Sequence, residues 1–360
     1  MATWWRPSRA YRGAAVVALL AATLLAAVGC KRGGARVLEV VYVSAPQATL
    51  RDQVAVISNR VGEVKNGDRL EVLGHEKKFA HVRTQSGLEG WIEQRNLIDQ
   101  KTFDTLQQLT RDSQNDPVQA PGVLRNGTNL HVTPGRESEH LYQLNAGAKV
   151  AILKRATVEK QGAGAPTPPK PGAKPVGPVM EDWWLVRDIQ KDAQQAVQKD
   201  DPKNNQKRVG WVLSRMVDVD VPLEIAQYAE GQRFVAFFEL DEVSDGDKKV
   251  PQYLCLLTEP HDGLPYDFDQ VRVFTWNTRK HRYETAYREH GLNGVLPATL
   301  THESFDKEAV LPVFILRVKG DDGKVVERKY KLNTPIVRRV LAPGEVIPRP
   351  VRRPMGKRRR

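Results

Sequence analysis

The chain has 360 residues, enough for two or three ordinary domains, and its 40% hydrophobic and 27% charged residues are the balance of a folded, water-exposed protein. Two cysteines exclude a disulfide-stapled scaffold and any multi-cysteine zinc or iron–sulfur site, and a single long apolar run excludes a polytopic membrane protein. The formal net charge of +12 sits in the tails. Three arginines before residue 30 and seven bases after residue 347 face no acid, and without them the body carries only +2, which argues against a nucleic-acid-binding face built into the fold.

At the N-terminus Arg6, Arg9 and Arg12 precede Ala14 to Val28, a 15-residue stretch that is apolar except for Thr23. A helix of that length, at about 1.5 Å per residue, falls short of a hydrocarbon core of roughly 30 Å, so the segment reads as an export signal and not as a stable span. Its ending, Ala27-Val28-Gly29-Cys30, resembles the bacterial lipoprotein signal, with Ala where Leu is commonest. The resemblance implies cleavage before Cys30 and acylation of its thiol and new amine. Two or more acyl chains hold a protein on a membrane where one does not. Lys31 follows the cysteine, and under the proteobacterial sorting rule that residue directs a lipoprotein to the outer membrane, facing the periplasm.

The body then repeats itself. Val61 to Leu73 (VGEVKNGDRLEVL) superposes on Leu141 to Leu153 (LYQLNAGAKVAIL) at an offset of 80; Val82-Arg83 matches Val186-Arg187 at 104, and Gly90-Trp91-Ile92 matches Gly210-Trp211-Val212 at 120. The growing offset places two insertions in the second copy: a Pro/Gly-rich one at 156–180 and a polar one at 190–208, both with the composition of loops. The first holds P-x-x-P spacing (Pro166 to Pro171), a polyproline-type spacer that is also able to dock on a groove. Between the copies Phe103, Leu106 and Leu109 recur at helical spacing in Thr102 to Asp112, and Asn115-Asp116-Pro117 ends that helix.

Within each copy the pattern is short strands with period-two alternation, such as Phe79, His81 and Arg83, punctuated by Gly67-Asp68 and Ser86-Gly87 turns. Copies 38–98 and 122–219, with 99–121 as linker, resemble the bacterial SH3 domain, a small five-stranded β-barrel; copy one matches better through Leu50-Arg51, Gly67-Asp68, Val82-Arg83 and Gly90-Trp91-Ile92. That resemblance implies binding of peptides or peptidoglycan through aromatic and Arg-bearing grooves. It places Phe79 and Trp91 at the groove in copy one and Trp183, Trp184 and Trp211 in copy two. Adjacent strand residues face opposite ways, so one of Trp183 and Trp184 is expected on the outer side or under a loop.

Residues 222–342 show six strand candidates with turns at Asp245-Gly246-Asp247, His261-Asp262-Gly263, Asn277 to Lys280 and Asp321-Asp322-Gly323, the pattern of a β-sandwich or barrel-like domain. Together with the repeat they resemble a group of lipoproteins from soil bacteria of the acidobacterial kind, which implies no activity. The densest titratable cluster, His281, Glu284, Glu289 and His290, splits across the two faces of a strand and supplies no three-ligand metal set, and Cys255 lies in an apolar run. No nucleophile elbow, phosphate loop or H-E-x-x-H is present.

The tail 343–360 reads as a disordered basic segment, able to contact anionic lipid. The expectation is a mostly β chain: two SH3-like small barrels in tandem and a β-rich C-terminal domain. It is a non-enzymatic, cofactor-free, lipid-anchored envelope protein that holds peptidoglycan or a protein partner. The alternatives are an SH3-regulated cell-wall hydrolase and a basic-tail binder of anionic lipid or nucleic acid.

Overall fold

The computed structural model describes residues 36–55, 57–160, 178–189, 208–305, 309–341 and 344. The export signal with Cys30, most of both insertions and the basic tail lie outside the described residues. The described chain is mostly β, arranged as three seven-stranded antiparallel sheets.

The first sheet comprises β1 (Glu39–Val43), β2 (Gln47–Arg51), β3 (Arg60–Lys65), β4 (Arg69–Glu76), β5 (Phe79–Thr84), β6 (Glu89–Glu93) and β7 (Leu97–Asp99). The second comprises β8 (Ala120–Leu124), β9 (Thr128–His131), β10 (His140–Leu144), β11 (Lys149–Glu159), β12 (Met180–Asp188), β13 (Val209–Leu213) and β14 (Val217–Val219). Their strand orders, β3-β2-β6-β5-β4-β1-β7 and β10-β9-β13-β12-β11-β8-β14, correspond position by position. The correspondence extends to register. Val72 pairs with Val82 and Gly74 with His81 around a bulge in β4; Ile152 pairs with Val186 and Lys154 with Leu185 around the equivalent bulge in β11. Both are SH3-like, but hydrogen bonding does not close the ring, since the terminal strands of each order do not pair with one another.

The repeated Gly-Trp has a steric cause. A Cβ on Gly90 would stand 2.9 Å from the Leu50 Cβ, and one on Gly210 would stand 2.6 Å from the Leu130 Cβ. Only glycine lets β6 cross β2, and β13 cross β9, over a filled core. Leu50 and Leu130 are fully buried, each at the centre of its copy's core.

Helix α1 (Gln100–Asp112) joins the copies. Asp99 caps it, accepting from the Thr102 N–H at 2.7 Å. Leu106 is buried, and the Phe103 ring stacks on Tyr42 at 3.7 Å between centroids. Beyond its C-terminus, Arg187 from β12 donates to the carbonyls of Ser113 and Gln114, ties that hold the exit of the helix against the second sheet.

The third sheet is a meander in sequence order: β15 (Arg233–Asp245), β16 (Lys248–Thr258), β17 (Phe268–Asn277), β18 (Arg282–Ser304), β19 (Val310–Lys319), β20 (Val325–Asn333) and β21 (Ile336–Val340). One strand more than the six expected is present, because β21 follows β20 through a tight turn that lacks a glycine. The sheet is single and curved, so that β15 meets β19 across the interior; the 23-residue β18 bends at a bulge between Val295 and Thr299.

The second and third sheets share one core. Leu130, Ile152, Trp184 and Val186 pack in the same cluster as Val235, Leu256, Phe314 and Tyr330. The buried Gln119 side chain acts as a strand mimic, accepting from the Ala298 N–H at 2.8 Å and donating to the Ala298 carbonyl at 3.2 Å. A buried ionic seam completes the junction. The Arg155 guanidinium meets Asp182 at 2.7 Å and Asp267 at 3.1 Å, and donates to the carbonyls of Tyr266 and Leu264. Arg233 meets the other oxygen of Asp182 and also Asp262. The multiple bonds are what make charges at this depth tolerable.

Candidate functional site

In the first copy, alternation puts Phe79, His81 and Arg83 of β5 on the outer side of the sheet, next to Trp91 and Glu89 of β6 and Glu71 of β4. All except the exposed Glu89 are half-buried. The His81 ring lies 4.9 Å from Trp91, tilted by 31°, and its Nε2 stands 3.8 Å from Glu89. Arg83 donates to Glu89 at 2.9 Å and reaches Glu71 at 4.0 Å. Across from Trp91 lies Arg51, which opens the loop 52–59 and donates to Ser58. Two hydrogen bonds from Asn59, backbone and side chain, reach Asp52 at 2.9 Å each and hold its carboxyl below the usual range. They also brace the two ends of the loop. Ile57 at its tip is 87% exposed. The result is an open platform with an aromatic centre, a cation on either side and an exposed acid.

The second copy has the same positions and the opposite chemistry. Glu71, His81 and Glu89 correspond to Ala151, Leu185 and Val209, and Trp91 to Trp211. Ala151, Leu153, Leu185 and Val209 form a buried cluster joined by Trp211 and by Leu109 of α1, which lies against β13. This face is the seat of the helix.

Trp183 and Trp184, expected at a ligand groove, are both buried, at 2% and 3% exposure. Trp184 belongs to the core shared with the third sheet. Trp183 faces the other way, edge-on to His131 at 5.2 Å, and is enclosed on the side of the β9–β10 loop. Arg136 of that loop grips Glu181 with two hydrogen bonds of 2.8 and 2.5 Å, and the guanidinium holds the Glu181 carboxyl low. Burial pushes His131 and His140, whose rings are 5.4 Å apart, below the ordinary histidine value. Alternation correctly separates the two tryptophans, but both sides of β12 are covered here. Neither ring is open to a ligand, and Trp211 shares its cluster with the helix; of the five aromatic candidates, only Phe79 and Trp91 remain on an open face.

The third sheet brings together no catalytic set from the cluster at 281–290. His281 is not on a strand; it sits in the turn before β18 with φ +46 and bonds Asp245 at 2.7 Å. Lys280 and Asn277 hold Glu284 down to about 2, so it is a fixed anion and no acid near neutrality. Cys255 is fully buried, and burial pushes its thiol well up, away from a nucleophile. Among the described residues no group of three His, Cys, Asp or Glu is placed to hold a metal ion, and no helix is long and apolar enough to cross a membrane.

Residues 47–98 match the family model of the bacterial SH3 domain. The chain carries a bacterial SH3 domain. Among curated proteins no relative matches. Solved structures similar to the chain include a NlpC/P60 family protein from Bacillus cereus, 9% identical over 57% of this chain and 65% of that one, with a TM-score of 0.21. NlpC1 and NlpC2 from Trichomonas vaginalis are 9% and 11% identical. They cover 69% and 84% of this chain and 87% and 95% of theirs, each with a TM-score of 0.16. The chain thus spans about two-thirds of the length of the Bacillus cereus protein. The resemblance placed Phe79 and Trp91 at the SH3 groove but gave no part there to His81 and Glu89, which stand beside Trp91 on the same face; the alternation of β5 and the Gly-Trp register together carry that signal.

Proposed function

We propose that the protein is a non-enzymatic, lipid-anchored component of the bacterial cell envelope that grips the stem peptides of peptidoglycan through its first SH3 domain. The supporting observation is the contrast between the copies: one outer face is open, aromatic and charged, and its counterpart is apolar and occupied by α1. A short zwitterionic peptide suits the open face. Trp91 and His81 offer flat apolar area, Arg51 can take a carboxylate, and Glu89 can take an amine. Anchoring through Cys30 and an outer-membrane, periplasm-facing position follow from the signal box and Lys31.

The test is co-sedimentation of the signal-less protein with purified insoluble peptidoglycan. Trp91→Ala and Arg51→Ala should each release the protein into the supernatant, while the parent stays bound and liberates no soluble muropeptides. Muropeptide release, or binding indifferent to both substitutions, would sink the reading. Incorporation of labelled palmitate that disappears in Cys30→Ala checks the anchor separately.

A further inference from the structure

The outer side of the third sheet holds a second aromatic surface that the proposed function does not use. The strap from Val219 to Glu230, which includes the short helix α2 (Leu223–Ala226), lies over this side and packs with Phe234, Tyr253, Cys255, Leu257 and Phe274. The strap stops short of the sheet's end. Beyond Glu224 the aromatic row continues as the buried Tyr283 and the half-buried Trp276, cross-strand partners packed edge to face at 5.0 Å, and Trp276 brings it to the surface. Val250, Pro251, Lys248 and Lys249 complete a shallow cleft of about 440 Å3. That volume lies within the roughly 300–1,000 Å3 of small-ligand sites.

The polar groups of the cleft are fixed before any ligand arrives. The Trp276 Nε1–H donates to Asp245 at 2.8 Å, and Asp245 also holds His281. The Tyr283 hydroxyl donates to the Pro251 carbonyl at 2.9 Å. The Tyr253 hydroxyl donates to Glu224 Oε1 at 3.2 Å. Burial raises both phenols, Tyr283 to about 12, so they remain neutral donors. The exposed Glu224 carboxylate sets an acceptor at the mouth, and Lys248 adds an ammonium donor to the lining.

We infer that this cleft binds an N-acetylated amino-sugar ring of a glycan. The apolar C–H face of a pyranose matches a half-buried indole edge-braced by a phenol, and a shallow open cleft admits an internal unit of a chain. The acetamido group supplies both things the rim asks for: an N–H for Glu224 and a carbonyl for Lys248. A purely cationic ligand is disfavoured by the two lysines, and a purely anionic one by Glu224 and Asp245. The inference stands on the third sheet and does not depend on the SH3 face.

The test titrates the full chain with the β-1,4 tetramer of N-acetylglucosamine, followed by the indole N–H resonances, with the matching glucose tetramer as control. The N-acetylated tetramer should shift the Trp276 resonance. Trp276→Ala should weaken binding about tenfold or more. Glu224→Gln, which is exposed and leaves the fold alone, should weaken it less. The control should bind at least several-fold more weakly. If Trp276→Ala fails to fold, Lys248→Glu supplies the second test and should lower affinity by a similar factor to Glu224→Gln. No shift at Trp276, equal binding of the control, or loss of the signal with Trp91→Ala in place of Trp276→Ala would each overturn the assignment. The Trp91 outcome concerns location only and leaves the peptidoglycan reading to its own assay.

Discussion

The two SH3-like copies share strand order, register, bulge and the glycine at the strand crossing, yet they have diverged at the outer face. In the first, His81 and Glu89 keep β5 and β6 wet; in the second, Leu185 and Val209 at the same positions make that face a bed for α1. The difference shows that the fold is specified by inward residues and by glycine sterics, while the outward residues decide whether a copy is a reader or a bearing. The second copy is further committed by its inner side, which shares a core with the third sheet.

Equivalent substitutions in the two copies expose that division. The largest effect belongs to Asp182→Ala, which strands the Arg155 guanidinium, only 4% exposed, without its main partner; about 3–5 kcal/mol of stability should be lost on removing one member of such a buried set. Its counterpart in the first copy is the exposed Lys78, where alanine should change stability by less than about 0.5 kcal/mol. Chemical denaturation of the two variants decides it, and similar losses would break the comparison. Next is Leu185→Ala, expected to cost about 2–5 kcal/mol through a cavity beneath α1, against a near-neutral His81→Ala.

Gly90→Ala and Gly210→Ala sharpen the opposite point. Both should be destabilising, by about 1–3 kcal/mol each, because the copies agree at the crossing. Unequal losses would mean that one crossing can relax.

The smallest effect is a pH dependence carried by two histidines of the second copy. His131 and His140 are held below 6.5 chiefly by burial, with the Ser138 carbonyl and Glu139 opposing in turn. A lowered folded-state value means that the unfolded chain takes up protons first. Their contribution is therefore complete above about 6.5 and is lost as pH falls through the folded-state values. Histidine Cε1 proton shifts followed from pH 8 to 5 should show both groups titrating late, and His131→Gln should flatten the corresponding part of the stability profile.

Much of this was legible in the sequence. The stepwise offsets of 80, 104 and 120 between the copies carried the register, and turn glycines such as Gly67 and Gly147, with φ of +86° and +76°, marked the hairpin bends. The apolar spacing from Phe103 to Leu109 marked α1. What was not legible depends on partners remote in the chain. Period-two alternation states that Trp183 and Trp184 point apart, but not that a loop pinned by Arg136 and a sheet beginning fifty residues later cover both sides. The same holds for Arg155, which reads as one more surface base until Asp267 is placed against it. At the open face, residue types named the aromatic candidates, but only the cross-strand pairing of His81 with Trp91 separates a platform from a core.

Gln119 has a mechanical consequence. By clasping Ala298 through both ends of its amide, it stitches the exit of the linker to the middle of the longest strand. A pull on the N-terminal side is thus delivered into the fused block and not absorbed there. The point of least resistance is upstream, where a small apolar cluster of Tyr42, Ile98, Leu106 and Leu141, the ring stack of Tyr42 on Phe103 and the Asn66 contact to the Leu141 carbonyl join the first domain to the rest, against the far larger core shared by the second and third sheets. Under load the first domain should swing free on its helix as an intact unit before either neighbour unravels, giving the chain a compliant joint at one defined place.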